Sequence, residues 1–384
     1  MLSDAIAMEA RVILCEFGPD GQPVTFEDPI ERVIVWDPDD VVPALERLEA
    51  ARCAGHWIAG WLAYEAGYAF EDVLLPQIPL DRDGPLLAFG IFAAPRPVAF
   101  PKPAPVELTP PRPVISVFDY THAFDRTEAY IAAGDCYQIN LTFPLESRLR
   151  KGSPFDLYLA LRETQAVGFG AFADIGGPAI VSRSPELFFQ LDAAGGITAR
   201  PMKGTAPRSP DPERDAELAQ SLAASEKNRA ENLMIVDLLR NDIARISRVG
   251  SVKVPELFKV DSFATVHQMS STVIGELHGA PELPGLMRAL FPCGSITGAP
   301  KIRAMEIIRE VEVEARGAYC GALGWMAPDG SAAFSVLIRT LSIWPDGRVR
   351  LNAGGGIVQD STASGEWEEA LWKTRYVQAL TNPA

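Results

Sequence analysis

The first quarter of the chain alternates short apolar runs with polar breaks. Val12-Ile13-Leu14-Cys15 and Val33-Ile34-Val35-Trp36 are rich in β-branched residues and too short for helices, so they predict strands. A third strand-like run spans His56 to Tyr64. Val42 to Ala54 sets Val42, Leu45, Leu48 and Ala51 on one helical face, with Pro43 tolerable in the first turn. Prolines then crowd the chain: Pro95, Pro97, Pro101, Pro103, Pro105, Pro110, Pro111 and Pro113. Such a stretch is neither helix nor central strand and predicts extended backbone. It divides the chain into an N-terminal segment (1–94), a proline-rich linker (95–116) and a larger catalytic part (117–384). The same prolines suit a strap laid across a single fold, and the pattern alone does not separate the two.

Beyond Val117 the spacing mixes both periods. Glu213 to Ile246 keeps Leu218, Leu222, Leu233, Val236, Leu239 and Ile243 at helical spacing and predicts one long helix after Pro212. Phe334 to Trp344 predicts a strand, Pro345-Asp346-Gly347 a turn, and Arg348 to Asn352 a second strand. Glu366 to Leu380 predicts a closing helix. Strands among long helices without βαβ regularity point to an α+β class.

Composition narrows the function. The 384 residues are 47% hydrophobic, enough for a large core, and the formal net charge of -15 argues against a nucleic-acid partner. Five scattered cysteines include no Cys-x-x-Cys pair, and four histidines show no metal-ligand spacing. Met1-Leu2-Ser3-Asp4 does not open a secretory leader, and no run approaches the ~18 apolar residues of a membrane span. A cytoplasmic, membrane-free enzyme is expected.

Several segments could carry chemistry. Lys203, in Arg200-Pro201-Met202-Lys203-Gly204-Thr205, reads as a residue on a tight loop shaped by proline and glycine. A desolvated lysine loses its proton more easily and becomes a nucleophile, although an exposed loop lysine fits the same segment. Glu186 in Ser184-Pro185-Glu186-Leu187-Phe188-Phe189 is either a general acid raised by apolar surroundings or an exposed strand-edge carboxylate. Gly294 to Lys301 precedes a helix that Ser295 or Thr297 could cap, with Pro300 in its first turn. Gly354-Gly355-Gly356 reads as a flexible turn or a loop that lets a ligand approach the backbone. Glu366, Glu369 and Lys373 share a helical face, and Glu231 lies on the long helix. Carboxylates converging from two helices suit Mg²⁺, while a solvated face explains them equally. His267 is a site residue or a core histidine.

Taken together, these segments resemble the chorismate-utilising enzymes. The resemblance runs from about Asp135 to Lys373. It includes Asp135-Cys136-Tyr137-Gln138-Ile139-Asn140-Leu141, Ser184-Pro185-Glu186, Lys203-Gly204-Thr205, Ala230-Glu231-Asn232-Leu233-Met234-Ile235-Val236-Asp237-Leu238, Gly298-Ala299-Pro300-Lys301, Ile338-Arg339-Thr340 and the glycine run before Asp360-Ser361. It implies an anthranilate synthase component I-like fold, with large sheets and helices packed outside. Isochorismate-type members activate water with a lysine where this chain has Gln138, which argues against water addition. Anthranilate synthases carry alanine where this chain has Lys203. A lysine there resembles the branch that aminates chorismate at ring carbon 4 on the way to 4-aminobenzoate and folate, with an anthranilate synthase large subunit as the alternative.

The resemblance also implies roles. Lys203 attacks ring carbon 2, Glu186 protonates the departing 4-hydroxyl, and His267 matches a histidine used near pyruvate elimination. Mg²⁺ is held by Glu231, Glu366 and Glu369. Tyr319, Arg339, Lys373, the amides of Gly354, Gly355 and Gly356, and a hydroxyl from Ser295 or Thr297 anchor chorismate. Asn228 stands where some relatives have a further metal-site carboxylate. No Leu-Leu-Glu-Ser element is found, so tryptophan feedback is not expected. No glutaminase segment is found either, so ammonia is expected free or from a separate glutamine amidotransferase subunit, and no fused lyase is expected.

Overall fold

Two large, mostly antiparallel sheets organise the chain, and their facing sides carry one apolar layer. The structure is a computed structural model that describes residues 12–263, 266–378 and 380–381. The Met1–Asp4 start and Ala379 of the expected closing helix lie outside these residues. The first sheet runs Gly298–Ala299, Gln138–Lys151, Arg348–Ile357, Thr340–Ile343, Ala179–Ser184, Phe169–Asp174, Val12–Cys15, Val24–Phe26, Arg96–Pro97. The second runs Met202–Pro207, Val266–Glu276, Gly196–Arg200, Leu187–Leu191, Ala332–Val336, Ala322–Met326, Trp57–Leu62, Leu87–Phe92, Glu31–Val35. Ile13, Phe26 and Ala173 of the first sheet join Trp61, Phe92 and Trp325 of the second in one buried cluster. Phe26 and Phe92 meet across it with ring centroids 5.4 Å apart. Helices cover the sheets: Glu226–Ala244 packs on Val266–Glu276, and Ala363–Lys373 packs on Arg348–Ile357.

Residues of the N-terminal segment are threaded into both sheets. Val12–Cys15 pairs with Phe169–Asp174, and Trp57–Leu62 pairs with Ala322–Met326. The proline stretch lies as a strap. Arg96–Pro97 extends the first sheet beside Val24–Phe26, while Glu107–Leu108 and Arg112–Pro113 pair with Gln138–Lys151.

Five local expectations are corrected. The helix expected from Glu213 to Ile246 is two, Pro212–Ala224 and Glu226–Ala244. Ser225 takes extended angles between them and accepts from the Asn228 amide, so its hydroxyl competes with helix continuation. The strand expected from Phe334 to Trp344 is split between the two sheets as Ala332–Val336 and Thr340–Ile343. Lys203 sits in the strand Met202–Pro207 rather than on a loop, beside a register shift at Gly204 with φ 79°. The glycine run is strand as well, inside Arg348–Ile357. The helix Lys301–Val311 begins at Pro300 with no side-chain cap, so neither Ser295 nor Thr297 caps it.

Candidate active site

Two crossovers between the sheets create the site. Ser184-Pro185-Glu186 carries the chain from Ala179–Ser184 in the first sheet to Leu187–Leu191 in the second. Leu337-Ile338-Arg339 carries it back from Ala332–Val336 to Thr340–Ile343. The crossovers are stitched together. The Val336 amide donates to the Glu186 carbonyl (3.1 Å), the Arg183 amide to the Arg339 carbonyl (3.0 Å), and the Ser184 hydroxyl to the Val336 carbonyl (2.6 Å). Proline at 185 keeps Ser184 out of helical backbone, which suits a residue leaving one sheet for another. Arg339 has φ 51°, a left-handed value rare for a non-glycine residue and costing about 1–3 kcal/mol.

Glu186 is 4% exposed, and its Oε1 has no hydrogen-bond partner among the described residues. Burial pushes its carboxyl up to about 7, against the opposing pull of Ser295, the Lys203 charge and the Met202 backbone. Lys203 moves the other way: burial of its ammonium end lowers its pKa, while Glu231 and Glu186 resist. A carboxyl that holds its proton near neutrality thus faces an amine that loses one more readily.

The first sheet supplies the floor. Thr340–Ile343 pairs with Arg348–Ile357 only as far as Leu351, while Gln138–Lys151 continues along the other edge to Ile357. From Asn352 onward one edge of the glycine strand therefore lacks a neighbouring strand, and its backbone amides can reach a ligand. Side chains are excluded there. A Cβ on Gly356 would lie 2.9 Å from the Gln138 amide and 3.4 Å from Lys203 Nζ. A Cβ on Gly355 would lie 2.9 Å from Glu366 and 3.4 Å from Lys373 Nζ. Gln138 is fully buried, with both amide atoms unpartnered among the described residues. Lys373 donates to the Gly354 carbonyl (2.8 Å) and pairs with Glu369 (2.9 Å).

Tyr319 and Arg339 complete the wall. Arg339 has no carboxylate partner among the described residues, and burial lowers its pKa while the Tyr376 phenol opposes this. Tyr376 was not singled out from the sequence. Its hydroxyl is buried and unpartnered, and it interacts electrostatically with both Tyr319 and Arg339. Its position three residues after Lys373 in the expected closing helix was the available signal, although that helix ends at Lys373 and Tyr376 lies on a second one, Arg375–Gln378.

The three expected metal carboxylates lie on Glu226–Ala244 and Ala363–Lys373. Glu366 accepts from the Ser361 hydroxyl (2.7 Å), and Glu231 lies 4.0 Å from Lys227. Burial and the charge of Glu369 raise the pKa of Glu366. Among the described residues, no three acidic, histidine or cysteine side chains stand close enough to form a metal-ligating group. Asn228, at the position of the extra carboxylate, packs against Gly204.

Two expected residues have other attachments. His267 is 2% exposed, and both ring nitrogens are engaged, Nδ1 with Ser262 (2.8 Å) and Nε2 with Asp215 (3.0 Å). No contact with Lys203 or Glu186 appears among its hydrogen bonds. The Thr297 hydroxyl donates to the carbonyls of Cys293 and Gly294, whereas Ser295 is the hydroxyl beside Glu186. A buried Arg316 fixes this loop to the floor, donating to the carbonyls of Ile296 (2.9 Å) and Asn140 (2.5 Å) while paired with Glu312.

The chain is similar to known proteins. Aminodeoxychorismate synthase component 1 of Klebsiella aerogenes is 46% identical over 259 residues, 67% of this chain and 57% of that protein. Anthranilate synthase component 1 of Streptomyces coelicolor is 43% identical over 257 residues, 67% of this chain and 50% of that protein. The chain thus spans about half the length of the curated relatives it matches. Among solved structures, anthranilate synthase component I from Streptococcus pneumoniae superposes with a TM-score of 0.79 at 26% identity, covering 98% of this chain and 93% of that one. The family model for chorismate binding enzymes matches residues 93–379, most of the chain and every residue of the site, and the chain belongs to that family.

Proposed function

We propose that this chain aminates chorismate at ring carbon 4, releasing 4-amino-4-deoxychorismate and water. The observation that carries the reading is the buried pair of Lys203 and Glu186, whose charges act on one another, an amine with lowered pKa and a carboxylic acid raised to about 7. Neutral Lys203 forms a C–N bond at ring carbon 2. The ring double bonds shift, and the 4-hydroxyl departs as water with the proton of Glu186. Ammonia then bonds at carbon 4 and returns one proton to the Glu186 carboxylate, the double bonds shift back, and Lys203 leaves carbon 2 as the free amine. Buried Gln138 lies beside Lys203, where its amide can orient the incoming ammonia. Arg339, Tyr319 and the amides of the glycine edge receive the substrate's carboxylates.

Glu231, Glu366 and Glu369 are the residues that would hold Mg²⁺, and because they do not form a ligating group as they stand, they would have to draw together around it. Their oxygen donors suit that cation, and its charge would neutralise the ring carboxylate of chorismate. Mg²⁺ added with chorismate is expected to raise the melting temperature. At a hundredfold excess over Kd the linkage amounts to about 2.7 kcal/mol. Glu366→Gln should remove most of the Mg²⁺-dependent part of the shift, read by calorimetry with and without chelator; an unchanged shift places the cation elsewhere.

Ammonia supply is assigned to a separate glutamine amidotransferase. The described helices include none long and apolar enough to cross a membrane. The decisive assay gives the chain chorismate, Mg²⁺ and ammonium, with and without a lyase that eliminates pyruvate from aminodeoxychorismate. 4-Aminobenzoate should form only when the lyase is present. Fluorescent anthranilate without lyase would instead establish the second reading, which the 43% identity to an anthranilate synthase keeps in play.

A further inference from the structure

The floor of the site is only two strands wide where the glycines lie. Gly354, Gly355 and Gly356 pair with Thr142, Leu141 and Asn140, and Thr340–Ile343 on the other side stops at Leu351. Beyond residues 140–142 no further strand is paired among the described residues. Gly298–Ala299 reaches only to Ile139, and Arg112–Pro113 only to Leu145. A two-stranded ribbon is marginal by itself, and the buried amides and carbonyls along such a gap still need partners.

Two side chains fill the gap. Glu312, just past the helix Lys301–Val311, accepts at Oε1 from the Thr142 amide (2.8 Å) and hydroxyl (3.0 Å). Arg316 Nη2 donates to the Asn140 carbonyl (2.5 Å), and the Asn140 amide donates to the Thr297 carbonyl (2.8 Å). Carboxylate and guanidinium pair bidentately at 2.7 and 2.9 Å, with side chains only 6% and 1% exposed. An acceptor for one strand amide and a donor for a carbonyl on the same edge are the two halves of a strand rung. Arg316 Nη1 also donates to the Ile296 carbonyl (2.9 Å), so the loop that carries Ser295 hangs from the same group. The N-terminal segment holds Arg316 in turn. Glu65 accepts from its amide (2.6 Å), and its guanidinium lies 4.4 Å from the centre of the Tyr64 ring. A guanidinium has a rigid fork for this set of bonds, and a lysine ammonium does not.

We propose that Glu312 and Arg316 are positioning residues for chorismate, a side-chain rung that stands in for a missing strand and holds the glycine floor where its amides meet the substrate. The proposal rests on the reading of the glycine edge as the receptor of a substrate carboxylate. The pair acts through residues 140–142. Lys203 stands on the second sheet and Glu186 on the crossover to it, so loosening the rung disturbs binding more than chemistry.

Hydrogen exchange read by mass spectrometry, together with calorimetric titration of chorismate, tests this on the full chain. In the parent, residues 138–143 should be protected like a strand paired on both edges; exchange as fast as an open edge overturns the proposal. Chorismate should slow exchange in residues 352–357. If chorismate binds without doing so, the glycine-edge reading falls, while the protection of 138–143 still decides the rung. Arg316→Lys should weaken chorismate by about tenfold and speed exchange in both segments, leaving Leu187–Leu191 and Trp57–Leu62 as protected as before. In ammonium-dependent turnover KM should rise with kcat little changed. If Arg316→Lys melts too low to assay, Glu312→Gln, which keeps its shape and an acceptor for Thr142 but loses the charge that holds Arg316, should weaken chorismate in the same direction. Parental affinity in a folded variant overturns the proposal. So does a loss of affinity accompanied by faster exchange throughout both sheets, which is the mark of a merely structural ion pair.

Discussion

Lys203→Ala is expected to lower ammonium-dependent turnover of chorismate by about a thousandfold or more, the scale seen when a covalent nucleophile is removed. The loss should fall on kcat, because Arg339, Tyr319 and the glycine edge still receive the substrate. The variant should fold: deleting a buried ammonium removes a desolvation cost and leaves a small cavity beside Gly356. Intact-protein mass spectra quenched during turnover should show a substrate adduct on the parent chain and none on the variant. A variant that turns over at the parental rate would end the nucleophile assignment, whatever the adduct spectra show.

Glu186→Gln is expected to cost about 10²–10⁴ in kcat, the usual contribution of a positioned general acid, and to change the shape of the pH profile. In the parent chain, kcat/KM should fall as pH rises through about 7, where Glu186 loses the proton it must donate. It should also fall toward acid, as Lys203 becomes fully protonated in its lowered range. The glutamine variant should lose the alkaline limb and keep the acid one. Stability should respond to the substitution with the opposite sign to activity. The folded pKa of Glu186 is raised, so its burial becomes progressively less favourable as pH climbs from the ordinary carboxylate range to about 7. The rise from 4.5 to about 7 corresponds to roughly 3 kcal/mol at 1.36 per unit. Above neutrality the glutamine variant should therefore melt at a higher temperature than the parent. An alkaline limb that survives in Glu186→Gln assigns the proton donor elsewhere.

Much of this site was legible because its residues stand in unusual local company. Ser184-Pro185-Glu186 and Lys203-Gly204-Thr205 each combine one titratable residue with one that restricts or frees the backbone. The sheet assignment was not legible. Phe334 to Trp344 has the composition of a single strand, and nothing in its period reveals that the chain changes sheet at Arg339. The glycine run misled for a related reason. Three glycines suggest a turn, yet long-range pairing with Gln138–Lys151 holds them extended, because pairing is decided by a partner strand about two hundred residues away. His267 matched by motif, but its partners Asp215 and Ser262 come from elements whose packing no local pattern encodes. The break at Ser225 is the exception, a capping residue visible in the sequence but outweighed by the helical spacing on either side.

The threading of the first strands sets the order of events during synthesis. Trp57–Leu62 pairs on one side with Leu87–Phe92, available at once, and on the other with Ala322–Met326, some 260 residues later. Val12–Cys15 likewise awaits Phe169–Asp174. On a ribosome adding about 5–20 residues per second, the apolar edge of Trp57–Leu62 stays unpaired for roughly 13–50 seconds. That interval is long compared with hydrophobic collapse, so the newborn chain presents a sticky strand edge to its surroundings until Ala322–Met326 has been made.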